Sequence, residues 1–303
     1  MTLLEAARDG DRRALGRVVS AVEDDTLQGR EALAAAYQDG GGAWLTGVTG
    51  APGSGKSTLV DRLVTEARPS RRVAVVAVDP SSPFTGGAIL GDRVRMQRHT
   101  EDDGVYIRSM SNRGHLGGIA EATPRVVALL DGLGFEEIII ETVGVGQAEV
   151  EVAASADTVV IVVTPGWGDA IQAAKAGLIE VGDVFVVNKA DRPGTEQAIK
   201  ELVGALEIGP PRAWSPPVIE TVASDGTGIA EVGEAIEAHH RHLTDTGERE
   251  RRRRDRALAE VEAAMRSRLR RSTESEDVVP SEILELVLSR QLDHWAAANG
   301  VVA

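Results

Sequence analysis

The chain has 303 residues, with 33 Lys+Arg against 47 Asp+Glu and a formal net charge of −14, a balance that argues against a general nucleic-acid partner, because affinity for phosphate backbones comes from Lys and Arg. Only Lys56, Lys175, Lys189 and Lys200 are lysines, and the absence of cysteine removes disulfides, thiolate metal sites and cysteine nucleophiles. Apolar residues make up 42%, enough for a sizeable core; no apolar run approaches the roughly 18 residues that span a bilayer and no secretory h-region opens the chain, so a cytoplasmic protein without a membrane partner is expected.

Residues 2–38 read as helices broken at Asp9-Gly10-Asp11 and Asp24-Asp25, with Leu15, Val18, Val19 and Val22 at i, i+3, i+4, i+7 on one face. From Trp44 onward, short β-branched runs alternate with helical stretches: Trp44 to Val48, Val73 to Asp79, Val105 to Met110, Glu137 to Glu141, Thr158 to Thr164, Val184 to Asn188 and Val218 to Val222. Several runs are continuously apolar, as strands are when helices cover both faces of a parallel sheet. The expected fold is α/β, a doubly wound, mostly parallel sheet of the P-loop NTPase type. An N-terminal helical extension (1–42) precedes the central domain (43–240), and a C-terminal helical arm (241–303) follows it. Beyond residue 228 the chain is helical through the arginine run Arg251 to Arg254, breaks near Pro280 and ends in a helix from Ser281 to Ala298. The arginine run is flanked by Glu248, Glu250 and Asp255, which suits a solvated or intersubunit helix face. His239, His240 and His242, on an otherwise polar helix, read as a solvated face rather than as metal ligands. Ser155, His115 and Asp157 lack the spacing of a nucleophilic triad.

The strongest chemical signal is Gly50-Ala51-Pro52-Gly53-Ser54-Gly55-Lys56-Ser57, a G-x-x-x-x-G-K-[ST] loop after the first strand, with Thr58 following in the helix. Its glycines let backbone N–H groups converge on a polyphosphate at a helix N-terminus. Lys56 then bridges the β and γ phosphates, and the Ser57 hydroxyl binds Mg²⁺. At the end of a later strand, Asn188-Lys189-Ala190-Asp191 is an N-K-x-D. Its carboxylate, Asp191, can accept both the N1–H and the exocyclic amine of guanine, donors that adenine lacks; Lys189 lays its stem along the base and Asn188 pins the loop. A loop after the last strand, around Ala223 and Ser224, can offer a backbone amide to the guanine carbonyl.

Between these motifs, Glu141 closes a buried strand where a metal-site carboxylate is expected, and Gly144 can offer its amide to the γ-phosphate. Asp79, Asp92 and a Gly86-Gly87 pair have the character of a switch loop that senses phosphate and metal. Val145 follows Gly144, so the glutamine that orients attacking water in many GTPases is missing there, and Gln147 lies two residues on. Slow intrinsic hydrolysis is therefore expected, accelerated when a partner orders the switches or brings Arg95 or Arg113 onto the transferring phosphate.

The segments VTGAPGSGKSTL, VDPSSPFTGGAILGDRVRM, SMSNRGHLGG, IIIETVGVGQAE and VVNKAD, taken together from about Gly10 to about Ile236, resemble the MeaB/ArgK family. These are GTPases of the SIMIBI class of P-loop NTPases associated with methylmalonyl-CoA mutase and related B12 enzymes. The resemblance implies a G-protein chaperone that gates adenosylcobalamin delivery to an acyl-CoA mutase and protects the cofactor, with GTP/GDP and Mg²⁺ as its ligands. It implies that Lys56 contacts phosphate, that Ser57, Asp79, Asp92 and Glu141 form the metal and switch network, and that Asp169 and Lys175 lie in a further switch facing the mutase. It also implies a homodimer built through the C-terminal arm. The chain departs from the family pattern at Trp167, at Ala148 and at Val222. The competing readings are a GTPase metallochaperone for a nickel enzyme, disfavoured by the lack of cysteine; a P-loop small-molecule kinase, in which the N-K-x-D has no purpose; and a guanine-nucleotide scaffold that never turns GTP over.

Overall fold

A computed structural model of the chain describes residues 2–79, 97–99, 101–111, 122–142, 155–166, 179–209 and 212–273. Seven strands form one sheet: β1 (Trp44–Thr49), β2 (Val73–Asp79), β3 (Val105–Ser111), β4 (Glu137–Thr142), β5 (Thr158–Val163), β6 (Val184–Asn188) and β7 (Val218–Thr221). Their order is β3-β2-β4-β1-β5-β6-β7, and every pairing is parallel. The described helices are α1 (Leu3–Arg8), α2 (Arg12–Glu23), α3 (Leu27–Tyr37), α4 (Lys56–Ala67), α5 (Thr123–Gly132), α6 (Thr195–Ile208), α7 (Ile229–Thr246) and α8 (Glu248–Thr273). None of them is long and apolar enough to cross a membrane.

The continuous apolar runs are buried on both faces because successive side chains of a strand point to opposite sides. Ala74, Val76, Val78, Ile138 and Ile140 join the N-terminal helices and α5 in one cluster. Their neighbours Val73, Val75 and Ile139 join Val48, Val160, Val162, Val184 and Val186 under α4 and α7 in a second. Val159, Ile161, Val163, Phe185 and Val187 pack on α6 in a third. The N-terminal helices therefore share a core with the sheet, and the Leu15, Val18, Val19, Val22 face of α2 is the part that enters it. Asp11 caps α2 by accepting from the amides of Arg13 and Ala14, as an aspartate at that position does for the otherwise unpaired first-turn donors.

By contact density the chain divides into two units, residues 1–252 and 253–303. In the second, the described residues are helical, and Leu258, Val261 and Met265 leave 60%, 58% and 59% of their surface exposed.

The histidines of α7 correct the solvated-face expectation. His239 and His240 are buried at 0% and 5% exposure. His240 stacks on Trp44 at 3.9 Å between ring centroids, nearly parallel, and the guanidinium of Arg249 covers the other face of Trp44 at 3.7 Å. His239 Nδ1 lies 2.8 Å from Thr158 Oγ1, and Trp214 packs beside its ring. Burial pushes both imidazoles down, His239 to about 4 and His240 to about 3, so both are neutral at pH 7. The arginine run is not wholly solvated either. Arg252 donates to both carboxylate oxygens of buried Asp183, at 2.9 and 3.0 Å.

Candidate nucleotide site

Open parallel sheets bind ligands beyond the carboxyl ends of the strands, where successive crossovers change side. Here that point is β1, because the chain leaves it for β2 and β4 on one side and later adds β5, β6 and β7 on the other. The loop Gly50 to Gly55 follows β1 directly and α4 starts at Lys56. Its shape depends on glycine. Gly50 has φ +138° and a Cβ there would sit 2.1 Å from the Val162 carbonyl oxygen; Gly55 has φ +94° and a Cβ would sit 2.2 Å from Asn188 Nδ2. Side chains at either position would both strain the backbone and fill space another residue occupies.

Within the loop, Lys56 is 5% exposed, and its Nζ donates to the carbonyls of Gly50 and Ala51 at 2.7 and 2.9 Å. The ammonium is thus folded under the loop, at the N-terminal end of α4. The Ser57 hydroxyl donates to Glu141 Oε1 at 2.6 Å, and Glu141 is fully buried. A hydroxyl and a carboxylate oxygen, close together at a helix N-terminus, form a hard-oxygen donor set that fits Mg²⁺. Thr142 Oγ1 donates to Thr49 Oγ1 at 3.0 Å, tying the ends of β4 and β1 together beside this pair. Asp79 ends β2, in register with Ser111 of β3 and one step beyond the Val78 and Thr142 pairing with β4, so its backbone stands at the same sheet edge.

Asn188 is the centre of the site. It is 2% exposed; its Nδ2 donates to the Ser54 carbonyl at 2.7 Å, and its Oδ1 accepts from Thr221 Oγ1 at 3.1 Å and from the Ala223 amide at 3.0 Å. One side chain thereby joins the phosphate loop, the end of β6 and the loop after β7. Lys189 takes a left-handed backbone conformation, φ +60°, and its Nζ donates to the Gly53 carbonyl at 2.6 Å. That left-handed turn at an N-K-x-D is what sends the chain back so that Asp191 stands exposed at the rim. Thr58, half-buried, continues α4, while Pro52 and Gly53 are exposed on the outer turn of the loop.

The sequence expectations at Asp92, Arg95, Arg113, His115, Gly144, Gln147, Ala148, Trp167, Asp169 and Lys175 lie outside the described residues. Sequence reading missed Arg62 of α4, whose guanidinium reaches the carbonyls of Ala223 and Ser224. Thr221 stands at the start of the loop expected to meet the base, but the bond of its hydroxyl to Asn188, which completes the network, was not foreseen. No motif marks either contact, because both arise only from the packing of α4 and β7 around Asn188.

The all-parallel sheet, the glycine loop at its switch point and the asparagine-braced second loop define a P-loop NTPase of the guanine-nucleotide type. The chain belongs to the methylmalonyl-CoA mutase-associated GTPases, the MeaB family, whose sequence model matches residues 12–277. It is similar to a putative GTPase of Pyrococcus horikoshii, 45% identical with 99% of this chain and 96% of that protein covered. It is also similar to the GTPase ArgK of Escherichia coli, 38% identical over 79% of this chain and 76% of that one. Among solved structures it resembles one described as a LAO/AO transport system kinase, with a TM-score of 0.74, 26% identity, and 99% and 95% of the two chains covered. The protein is accordingly a GTPase that binds guanine nucleotides.

Proposed function

We propose that the chain is a Mg²⁺-dependent GTPase acting as a G-protein chaperone for a B12-dependent acyl-CoA mutase such as methylmalonyl-CoA mutase, gating adenosylcobalamin loading and protection through GTP hydrolysis. The observation that carries the nucleotide half of this reading is the Asn188 brace, which joins a phosphate-binding loop to a guanine-reading loop. The mutase half rests on membership of a family described as methylmalonyl-CoA mutase-associated.

In this reading the amides of Gly50 to Ser57 cradle the phosphates, Lys56 swings its ammonium from the loop carbonyls to the β and γ phosphates, and Gly144 offers its amide to the γ-phosphate. Ser57 and Glu141 would hold Mg²⁺, and Asp79 and Asp92 would complete the metal and switch network. The metal would supply charge neutralisation on the phosphates. Asp191 accepts from guanine N1–H and the exocyclic amine, Lys189 lines the base, and the loop at Ala223 and Ser224 meets the 6-oxo group. Turnover is slow in the free protein and rises when the mutase orders the switches, with Asp169 and Lys175 in the segment that meets it and Arg95 supplied to the transferring phosphate. The half-exposed stripe Leu258, Val261, Met265 at i, i+3, i+7 on α8 supports a homodimer formed through the C-terminal arm.

The test is complex formation and GTP turnover with a purified B12-dependent acyl-CoA mutase from the same source. A complex whose stability differs between GDP and a non-hydrolysable GTP analogue, with turnover raised by the mutase, is expected. The absence of both complex and stimulation would defeat the chaperone reading and leave the GTPase standing.

A further inference from the structure

In the loop after β7 one backbone amide is left without a protein acceptor among the described residues, and Arg62 of the phosphate-loop helix holds the carbonyls beside it. Backbone donors in this loop are almost fully spent within the protein. The Val222 amide donates to the Thr227 carbonyl at 3.1 Å, and the amides of Asp225 and Gly226 both donate to the Val222 carbonyl, at 3.1 and 3.0 Å. The Ala223 amide goes to Asn188 Oδ1. Among the described residues, the Ser224 amide alone in Val222 to Gly226 has no protein acceptor, and Ser224 is exposed. A complete account of the loop's backbone donors therefore singles out one N–H for a ligand.

Arg62 of α4 fixes the direction of that N–H. Its Nε donates to the Ala223 carbonyl at 3.1 Å and its Nη2 to the Ser224 carbonyl at 2.6 Å. In a trans peptide the N–H points opposite to the preceding C=O, and no cis bonds occur among the described residues. Holding the Ala223 carbonyl towards α4 therefore turns the Ser224 N–H away from α4. A planar guanidinium can hold two successive carbonyls at once, whereas a lysine ammonium is a single flexible point charge. Asp225 closes the far side of the turn by accepting from the Thr227 amide and hydroxyl at 2.9 and 2.7 Å.

We propose that Arg62 is a positioning residue for guanine recognition: by clamping the carbonyls of Ala223 and Ser224 it aims the Ser224 amide at the 6-oxo group of the base. This deepens the guanine-site reading and rests on it. Because Arg62 sits on the helix that begins with Lys56 and Ser57, one rigid element carries both phosphate contacts and the support of the base loop.

Competition binding of GTP, 6-thio-GTP and ITP to the full chain tests the proposal, using wild type, Arg62→Ala and Arg62→Lys. 6-Thio-GTP keeps the N1–H and amine that Asp191 reads but presents sulfur, a weak acceptor, to the loop; ITP keeps the 6-oxo group and lacks the amine. Arg62→Ala is expected to shrink the preference for GTP over 6-thio-GTP by about three- to tenfold, the range of one hydrogen bond, and to leave the GTP to ITP ratio within about twofold of wild type. Arg62→Lys should recover part of the lost preference. Equal weakening of all three nucleotides, or no change in the GTP to 6-thio-GTP ratio, would overturn the role of Arg62. A wild-type chain that does not prefer GTP to ITP would instead overturn the guanine site itself. If Arg62→Ala fails to fold, Arg62→Lys and Arg62→Gln carry the same comparison.

Discussion

Replacing Asn188 with alanine removes three hydrogen bonds at once and leaves their partners in a buried place. The Ser54 carbonyl loses its donor, while the Ala223 amide and Thr221 hydroxyl lose their common acceptor. At about 0.5–1.5 kcal/mol net for each bond, the set contributes about 2–4 kcal/mol. For a protein of this size that lowers the melting temperature of the nucleotide-free form by about 3–7 °C. The functional effect is larger than the stability effect, because the same truncation releases both walls of the nucleotide site. A wild-type protein in GDP at one hundred times its Kd gains about 2.7 kcal/mol, and Asn188→Ala is expected to lose nearly all of that gain at the same concentration. Urea unfolding with and without GDP measures both quantities on one sample. Asn188→Asp refines the assignment: it keeps an acceptor for Thr221 and Ala223 but sets a carboxylate against the Ser54 carbonyl, so GDP stabilisation should fall as far as in the alanine variant. An alanine variant that loses less than about 1 kcal/mol and keeps the full GDP gain would refute the brace, since the two loops would then be held independently.

Other consequences follow from single features. Gly55→Ala places a Cβ 2.2 Å from Asn188 Nδ2 at φ +94°; it is expected to cost about 1–3 kcal/mol and to weaken GDP binding, and a variant with wild-type calorimetric titrations would contradict the loop geometry. Ser57→Ala removes the hydroxyl 2.6 Å from Glu141 and should raise the Mg²⁺ concentration needed for half-maximal turnover about 10- to 100-fold; an unchanged Mg²⁺ dependence would remove Ser57 from the metal site. His240 is held down to about 3 by burial, below its ordinary 6.5, so the unfolded chain binds the proton first and stability is lost as pH falls from about 6.5 towards 3. Because His240 Nε2 has no hydrogen-bond partner among the described residues, His240→Phe should keep the stack on Trp44, retain stability at pH 7 and flatten the acid limb by about 1.4 kcal/mol per pH unit; an acid limb of unchanged slope would show that His240 does not titrate in that window. Glu137 acts in the opposite sense: burial raises it to about 7, so its contribution is complete below pH 4.5 and lost as pH rises through about 7. Denaturation of Glu137→Gln across that range should show the loss removed, and a loss equal to wild type would assign it elsewhere.

The sheet was legible because burial on both faces forces continuous β-branched runs. The expected strands and the observed ones agree within a residue at their ends, from Val73–Asp79 to Val184–Asn188. The N-terminal breaks at Asp9-Gly10-Asp11 and Asp24-Asp25 were legible as cap and turn chemistry, with Asp11 serving as the cap of α2. Strand order was not, since each strand's pattern reports burial and not which neighbour it pairs with. The loop Gly50 to Ser57 and Asn188-Lys189-Ala190-Asp191 could be singled out because each proposed chemical task demands a fixed spacing within a few residues, and the structure joins the two segments through Asn188. The contacts of Arg62 and Thr221 could not be foreseen, because they reach the base loop and Asn188 from 161 and 33 residues away in sequence. The α7 histidines were misread from their polar neighbours. The apolar stripe Ile229, Val232, Ile236, Leu243 runs through positions 239 and 240, and that periodicity marks them as core positions.

The most direct test of the nucleotide site is calorimetric titration of the purified chain with GTP, GDP and ATP in Mg²⁺, alongside Lys56→Ala and Asp191→Ala. GTP and GDP should bind with one site per chain, ATP should bind far more weakly, Lys56→Ala should lose binding of both guanine nucleotides, and Asp191→Ala should lose the distinction between guanine and adenine. Equal binding of ATP by the wild type, or full GTP affinity in Lys56→Ala, would contradict the account at its centre.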